Sequence, residues 1–196
     1  MSNASGHILL LTGSPGIGKT TVVKKVVASL PDCTVSGFYT EEMRSGGARR
    51  GFELVSLSGG RWVMAHVDNR TSRCRVGKYG VDVGAIDAAV RVSLESNEAQ
   101  LYLIDEIGRM ECFSDFFIRR VSSLLESATP VIATVSLKGT GFIASVKRRS
   151  DAALWRLSEQ NRNDTPASMV AWLKRKIPGR SMRHADAKLI TKGGSV

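Results

Sequence analysis

No stretch of this 196-residue chain stays apolar long enough to cross a bilayer as a helix. The opening residues, Met1-Ser2-Asn3-Ala4-Ser5-Gly6, lack both the basic and the apolar region of a signal peptide. These two absences lead to the expectation of a soluble, cytoplasmic protein without membrane contact. Cysteine is scarce: Cys33, Cys74 and Cys112 are odd in number, widely separated and without histidines at ligand spacing. That excludes a disulfide framework and a zinc site, and leaves reduced, packed thiols. Internal repeats and low-complexity blocks are missing too, so the chain is expected to build a single core, which its length permits.

Acidic residues are outnumbered, 18 against 28 basic ones, for a formal charge of +10. The excess is unevenly placed. Ala171 to Val196 holds seven basic residues and one acid, so this segment carries +6 and the rest +4. Pro178-Gly179 closes the preceding helix and little apolar periodicity follows. The expected division is therefore a folded domain over 1–177 and a basic, flexible tail over 178–196. Such a tail reads either as a solvating extension or as a contact for RNA or an acidic partner.

What the chain does have is Gly13-Ser14-Pro15-Gly16-Ile17-Gly18-Lys19-Thr20, a phosphate-binding loop in its proper setting. Ile8-Leu9-Leu10-Leu11 precedes it as a buried strand, and Val22, Val23, Val26, Val27 and Leu30 follow at helical spacing. Glycines let successive N–H groups turn inward around phosphate oxygens, while the helix beyond directs its positive dipole end at the same anion. Lys19 then reaches the β- and γ-phosphates, and the Thr20 hydroxyl ligates magnesium. Nucleotide contacts are expected from Gly13 through Thr21, including Ser14, Pro15, Gly16, Ile17, Gly18 and Thr21.

Downstream, Thr34 to Thr40 reads as a second strand, and Gly51 to Leu57 with Arg61 to His66 as a hairpin around Ser58-Gly59-Gly60, an antiparallel insertion. The polar stretch from Asp68 to Asp82, with Arg70, Arg73, Arg75 and Lys78, reads as a loop. Helices are marked by Ile86, Ala89, Val90 and Leu94, by Phe117, Val121, Leu124 and Leu125, and by Met169, Val170, Leu173 and Ile177. Leu101 to Ile104, Val131 to Val135 and Ala153 to Leu157 are short buried strands. Strands alternating with helices predict an α/β fold with a mostly parallel sheet covered on both faces and ligands beyond the strands' carboxyl ends.

Leu101-Tyr102-Leu103-Ile104-Asp105-Glu106 delivers an acidic pair to such an end. Asp105 would hold Mg2+ with Thr20, and Glu106 would orient or deprotonate an attacking water. Ile107 and Gly108 extend the expected nucleotide contacts. Asn161-Arg162-Asn163 precedes a helix opened by Asp164-Thr165-Pro166. Arg162 could stack on a base, meet developing phosphate charge, or serve as a cap and surface ion pair. Arg109 and Glu111 could sense the γ-phosphate or pair with each other.

Taken together these motifs resemble the cancer-related nucleoside triphosphatase family, whose members include thermophilic nucleoside-triphosphatases. The resemblance rests on Gly13 through Thr21, Gly37-Phe38-Tyr39-Thr40-Glu41-Glu42, Gly46-Gly47, Arg50-Gly51-Phe52, Val76-Gly77-Lys78-Tyr79, Asp105-Glu106-Ile107-Gly108-Arg109-Met110-Glu111 and Asn161-Arg162. It runs from Ile8 to about Lys176. It implies a P-loop NTPase with a RecA-like domain, hydrolysing several ribonucleoside triphosphates to diphosphates with Mg2+, slowly and with broad base tolerance. Arg109 stands where members often have lysine and Cys112 where they often have leucine, and the tail has no counterpart.

The expected reading is a monomeric, Mg2+-dependent nucleoside triphosphatase acting on ATP, GTP, CTP and UTP, with Lys19, Glu106 and Arg162 as catalytic candidates. A small-molecule kinase is the alternative, with an acceptor hydroxyl in place of water and the Asp68 to Asp82 segment covering it. A nucleotide-gated RNA-binding or adaptor protein using the basic tail is another. A guanine-specific switch is less favoured, since no Asn-Lys-x-Asp segment occurs.

Overall fold

A computed structural model describes residues 6–177; the expected tail, and any nucleic-acid contact through it, lies outside the described residues. In chain order the elements are β1 (Ile8–Gly13), α1 (Lys19–Ala28), β2 (Val35–Ser45), β3 (Ala48–Ser56), β4 (Arg61–His66), β5 (Arg75–Val76) and β6 (Tyr79–Val81). Then follow α2 (Val83–Leu94), β7 (Leu101–Ile107), α3 (Asp115–Leu125), β8 (Val131–Ser136), α4 (Gly141–Lys147), β9 (Ala152–Arg156) and α5 (Thr165–Lys174). Nine strands make one sheet in the order β5-β6-β4-β3-β2-β7-β8-β1-β9.

The run from β2 to β9 in that order is parallel throughout, and its central strands β7, β8 and β1 are buried on both sides for a reason visible in the packing. Successive side chains on a strand point to opposite faces. Thus Ile8 and Leu10 of β1 join Tyr102, Ile104, Val131 and Ala133 under α2, α3 and α4. Leu9 and Leu11 join Leu101, Leu103 and Ile132 under α1 and α5. A run such as Ile8-Leu9-Leu10-Leu11 can be buried throughout only when helices cover both faces of the sheet. Helix starts follow local chemistry: Asp82 accepts from the Ala85 N–H at 3.0 Å to open α2, and Ser114 accepts from the Phe117 N–H at 2.8 Å to open α3.

The antiparallel insertion is larger than expected. β2 does not stop near Thr40 but runs on to Ser45, turns at Gly46-Gly47 and returns as β3. The expected hairpin around Ser58-Gly59-Gly60 adds β4. Asp68 to Asp82 is not simply a loop, because Arg75–Val76 and Tyr79–Val81 pair and join the sheet edge. Its Arg75 guanidinium donates to the Asn69, Arg70 and Lys78 carbonyls, fixing the turn from within. Such short, charged strands carry no period-2 signal. Helix α4, anchored by buried Ile143 and Val146 alone, was likewise below the level of sequence pattern.

Gly37 joins the two halves of the sheet at a close backbone approach. Its φ of +141° disfavours any side chain, and a Cβ there would lie 1.9 Å from the Leu103 carbonyl oxygen of β7. Gly37→Ala must therefore push β2 off β7. We expect a loss of about 3 kcal/mol in urea unfolding. An unchanged midpoint would show that β2 and β7 are not held as tightly as this contact requires.

Candidate active site

Leu11, Thr12 and Gly13 carry β1 into the loop, and α1 starts immediately at Lys19. Gly16 and Gly18 adopt φ of 76° and 102°, which turns the chain inward without a Cβ penalty, and Gly18 caps α1 with no side-chain bond. The first N–H groups of α1 and its positive dipole end thus remain available to an anion. The Lys19 ammonium, 9% exposed, donates to the Gly13 carbonyl at 3.3 Å and lies 3.5 Å from Glu106.

Two strands away, β7 ends on the acidic pair, where its register against β8 shifts between Ile104 and Ile107. Asp105 is 1% exposed. Burial pushes its carboxyl up from the usual carboxylate range, opposed by hydroxyl donors on Thr134, at 2.5 Å, and Thr20. Thr40 adds its N–H at 3.5 Å and places its hydroxyl on the Asp105 carbonyl at 2.8 Å. Glu106 faces the other way. It is the exposed member of the pair, at 29%, and Ser136 at the end of β8 donates to it.

The Thr20 hydroxyl and Asp105 carboxylate meet, and both are hard oxygen donors of the kind Mg2+ takes. A buried carboxyl pushed up by desolvation is also the group that a divalent cation would return to its ionised form. Among the described residues no cluster of three or more His, Cys, Asp or Glu side chains could cage a metal. The pair thus fits an ion that keeps waters and takes phosphate oxygens for its remaining positions.

These groups line one cleft of about 810 Å³, together with Gly13, Pro15, Gly16, Gly18, Thr21 and Gly108. Ser14, Ile17 and Ile107, expected among the nucleotide contacts, do not line it. Ile107 is fully buried in the core and Ile17 packs beside α1 and α5, so only their main chains can face a ligand. Arg162 is exposed and stands apart from the cleft as well, its N–H bonded to the Ser158 carbonyl. Sequence reasoning missed Thr134 and Ser136, although polar residues at the carboxyl end of a strand as apolar as β8 are a usable signal. It did not foresee that Glu42, Arg49, Phe52, Met64 and Val76 would wall the cleft, although Phe52 and Met64 lie on strands it recognised.

Arg109 and Glu111 line the cleft, and no ion pair joins them among the described residues. Glu111 is 4% exposed, its oxygen 2.8 Å from where a Cβ on Gly108 would stand, with Glu106 and Ser136 oxygens at 3.2 and 3.3 Å from the same point. Burial first, then the Glu106 charge, pushes its carboxyl up to about 8. The unfolded chain releases that proton near 4.5 and the folded protein near 8, so the folded state binds more protons between these values. Stability therefore falls as pH rises through that window. Glu111→Gln should flatten the fall, so that thermal midpoints of the variant exceed wild type at about pH 8 and converge with it at about pH 5. Parallel curves would show that Glu111 titrates at its ordinary value.

With the geometry in view, likeness to known proteins becomes informative. Residues 8–170 match the NTPase family. Nucleoside-triphosphatase THEP1 of Natranaerobius thermophilus is 39% identical over 173 residues, covering 86% of this chain and 97% of that protein. The cancer-related nucleoside-triphosphatase of Homo sapiens is 34% identical over 171 residues, covering 79% and 90%. The crystal structure of THEP1 from the hyperthermophile Aquifex aeolicus overlays with a TM-score of 0.77 at 33% identity, covering 85% of this chain and 99% of that one. The solution structure of the human cancer-related nucleoside triphosphatase gives 0.72 at 34% identity, covering 86% and 97%. A phosphate loop on β1, an acidic pair on β7 and a likeness spanning most of both chains lead to one conclusion: this chain belongs to the NTPase family and has its P-loop fold.

Proposed function

We propose that this chain hydrolyses nucleoside triphosphates to diphosphate and phosphate, using Mg2+ held between Thr20 and Asp105. The observation that carries the reading is the convergence of Lys19, Thr20, Asp105 and Glu106 at one end of a single cleft, with Lys19 and Glu106 3.5 Å apart. The loop amides and Lys19 bind the triphosphate and take up charge as the γ-phosphoryl departs. Bound Mg2+ would neutralise further charge on the β- and γ-oxygens. Glu106, reachable by solvent and fixed by Ser136, orients the water and accepts its proton. No covalent intermediate is needed, since positioning and electrostatics suffice for this chemistry.

Broad base tolerance is supported by the base side of the loop. Beside β9, Trp155, Arg156, Asn161 and Asp164 line a pocket of about 300 Å³. The Asn161 side chain there is already committed, donating to the Arg156 carbonyl at 2.9 Å and accepting from the Ser158 N–H at 2.8 Å. With half its capacity taken, it can offer a base edge at most one donor and one acceptor. Arg162, exposed nearby, is the candidate for sequence-tolerant stacking. The test is phosphate release from ATP, GTP, CTP and UTP, with Mg2+ and with a chelator. Release from all four, lost on chelation, is expected; release from none would refute the assignment.

A further inference from the structure

The two carboxylate oxygens of Glu106 have different neighbours. One lies 3.5 Å from the Lys19 ammonium, and the other accepts from the Ser136 hydroxyl. Lys19 is fixed by its own burial and by the Gly13 carbonyl. Ser136 has no such security from its own surroundings. It is the last residue of β8, level with Gly13 of β1, and Leu137 to Thr140 then lead to α4 by way of Gly139, with Gly141 at a φ of 55°. Glycines leave a connection of this kind many backbone conformations. Leu137 and Lys138 border the same cleft, so play in this connection is play in the wall of the active site.

Lys147 removes that play. It ends α4, whose Ile143 and Val146 join Ala133 and Val135 of β8 in the core, so the helix that carries it is seated on the sheet. From there the half-buried ammonium donates to the Ser136 carbonyl at 3.1 Å and to the Leu137 carbonyl at 2.9 Å. Among the described residues it forms no ion pair, so these two carbonyls are what it holds. Hydrogen bonds from a charged donor are roughly twice as strong as neutral ones, and two of them on successive carbonyls set the direction in which the chain leaves β8. Lys147 itself does not line the cleft. Its contacts run from α4 to the end of β8, and from the Ser136 hydroxyl to the acidic pair on β7.

We propose that Lys147 is a positioning residue for hydrolysis: by clamping the Ser136 and Leu137 carbonyls it fixes the Ser136 hydroxyl, which aims Glu106 at the attacking water. The inference rests on the triphosphatase reading of the same site. Lys147 touches no reacting atom and acts only through Ser136. Misplacing a catalytic group by about 1 Å can slow a reaction on the order of 10²-fold, so even partial release of the Ser136 hydroxyl has a measurable effect.

The experiment follows single-turnover phosphate release from ATP with Mg2+, which reads the chemical step free of product departure. Lys147→Met keeps the aliphatic stem and removes the ammonium. It should slow that step about tenfold, while the ATP concentration giving half the maximal rate stays within about twofold of wild type. The Ser136→Ala background then separates positioning from a general loosening of the domain. There Lys147→Met should cost less than about twofold, because the group through which it acts is gone, whereas loosening would cost the same factor in both backgrounds. Circular dichroism checks folding. If Lys147→Met does not fold, Lys147→Gln, a neutral donor in its place, should show the same pattern at about threefold. An unchanged rate, equal losses in both backgrounds, or a loss confined to ATP binding would each overturn the inference and leave the triphosphatase reading standing. No phosphate from the wild-type protein would overturn both.

Discussion

Glu106→Gln is expected to lower kcat for phosphate release by about 10²–10⁴-fold, the range a positioned general base contributes, with KM for the triphosphate changing far less. The amide keeps the shape of the side chain and can still accept from the Ser136 hydroxyl, so the local geometry should survive. What it loses is the capacity to take a proton from water. The structure singles out Glu106 for this because Asp105 and Glu111 are 1% and 4% exposed, whereas Glu106 is 29% exposed and faces the cleft. A carboxylate that served only as counterion to Lys19 would show its loss mainly in KM. Equal turnover for the two proteins would remove Glu106 from the chemistry.

Lys19→Ala is expected to reduce kcat/KM by about 10³-fold, close to 4 kcal/mol of transition-state stabilisation. The ammonium is held at the start of α1, where its reach is fixed by burial and by the Gly13 carbonyl at 3.3 Å. It is the one cation within 4 Å of Glu106 among the described residues, so its removal leaves that carboxylate facing an anionic substrate unopposed. Titration calorimetry with a non-cleavable ATP analogue should show weaker binding in parallel. Arginine should not rescue the loss, since a planar guanidinium cannot occupy the position of a compact ammonium. Wild-type kcat/KM in Lys19→Ala would mean that the loop amides alone hold the phosphates.

Much of this was legible in the residues themselves. The parallel core showed because a strand buried on both faces must be apolar at every position, as in Leu9, Leu10 and Leu11. The loop showed because its glycines, lysine and threonine each meet a local requirement of phosphate binding. The insertion did not show in full. From Glu41 to Arg49 it is held by ion pairs and by the turn at Gly46-Gly47, with Lys24 of α1 on Glu41 at 2.7 Å and Arg49 of β3 on Glu42. Such pairs join residues on different elements and leave no period in the sequence. The same holds for Arg75–Val76 and Tyr79–Val81, two-residue and three-residue strands too short to display alternation.

The sequence by itself determined the layered α/β core, the phosphate loop and the acidic pair, because backbone conformation, apolar alternation and strand-end position are read within one element. Tertiary structure decided what those elements face. Only the strand order brings Thr134 and Ser136 to the acidic pair and sends Ile107 inward. Only the folded insertion sets Phe52, Met64 and Val76 opposite the loop. Contacts between residues far apart in the chain depend on how the sheet is ordered and twisted, and no short stretch of sequence carries that information.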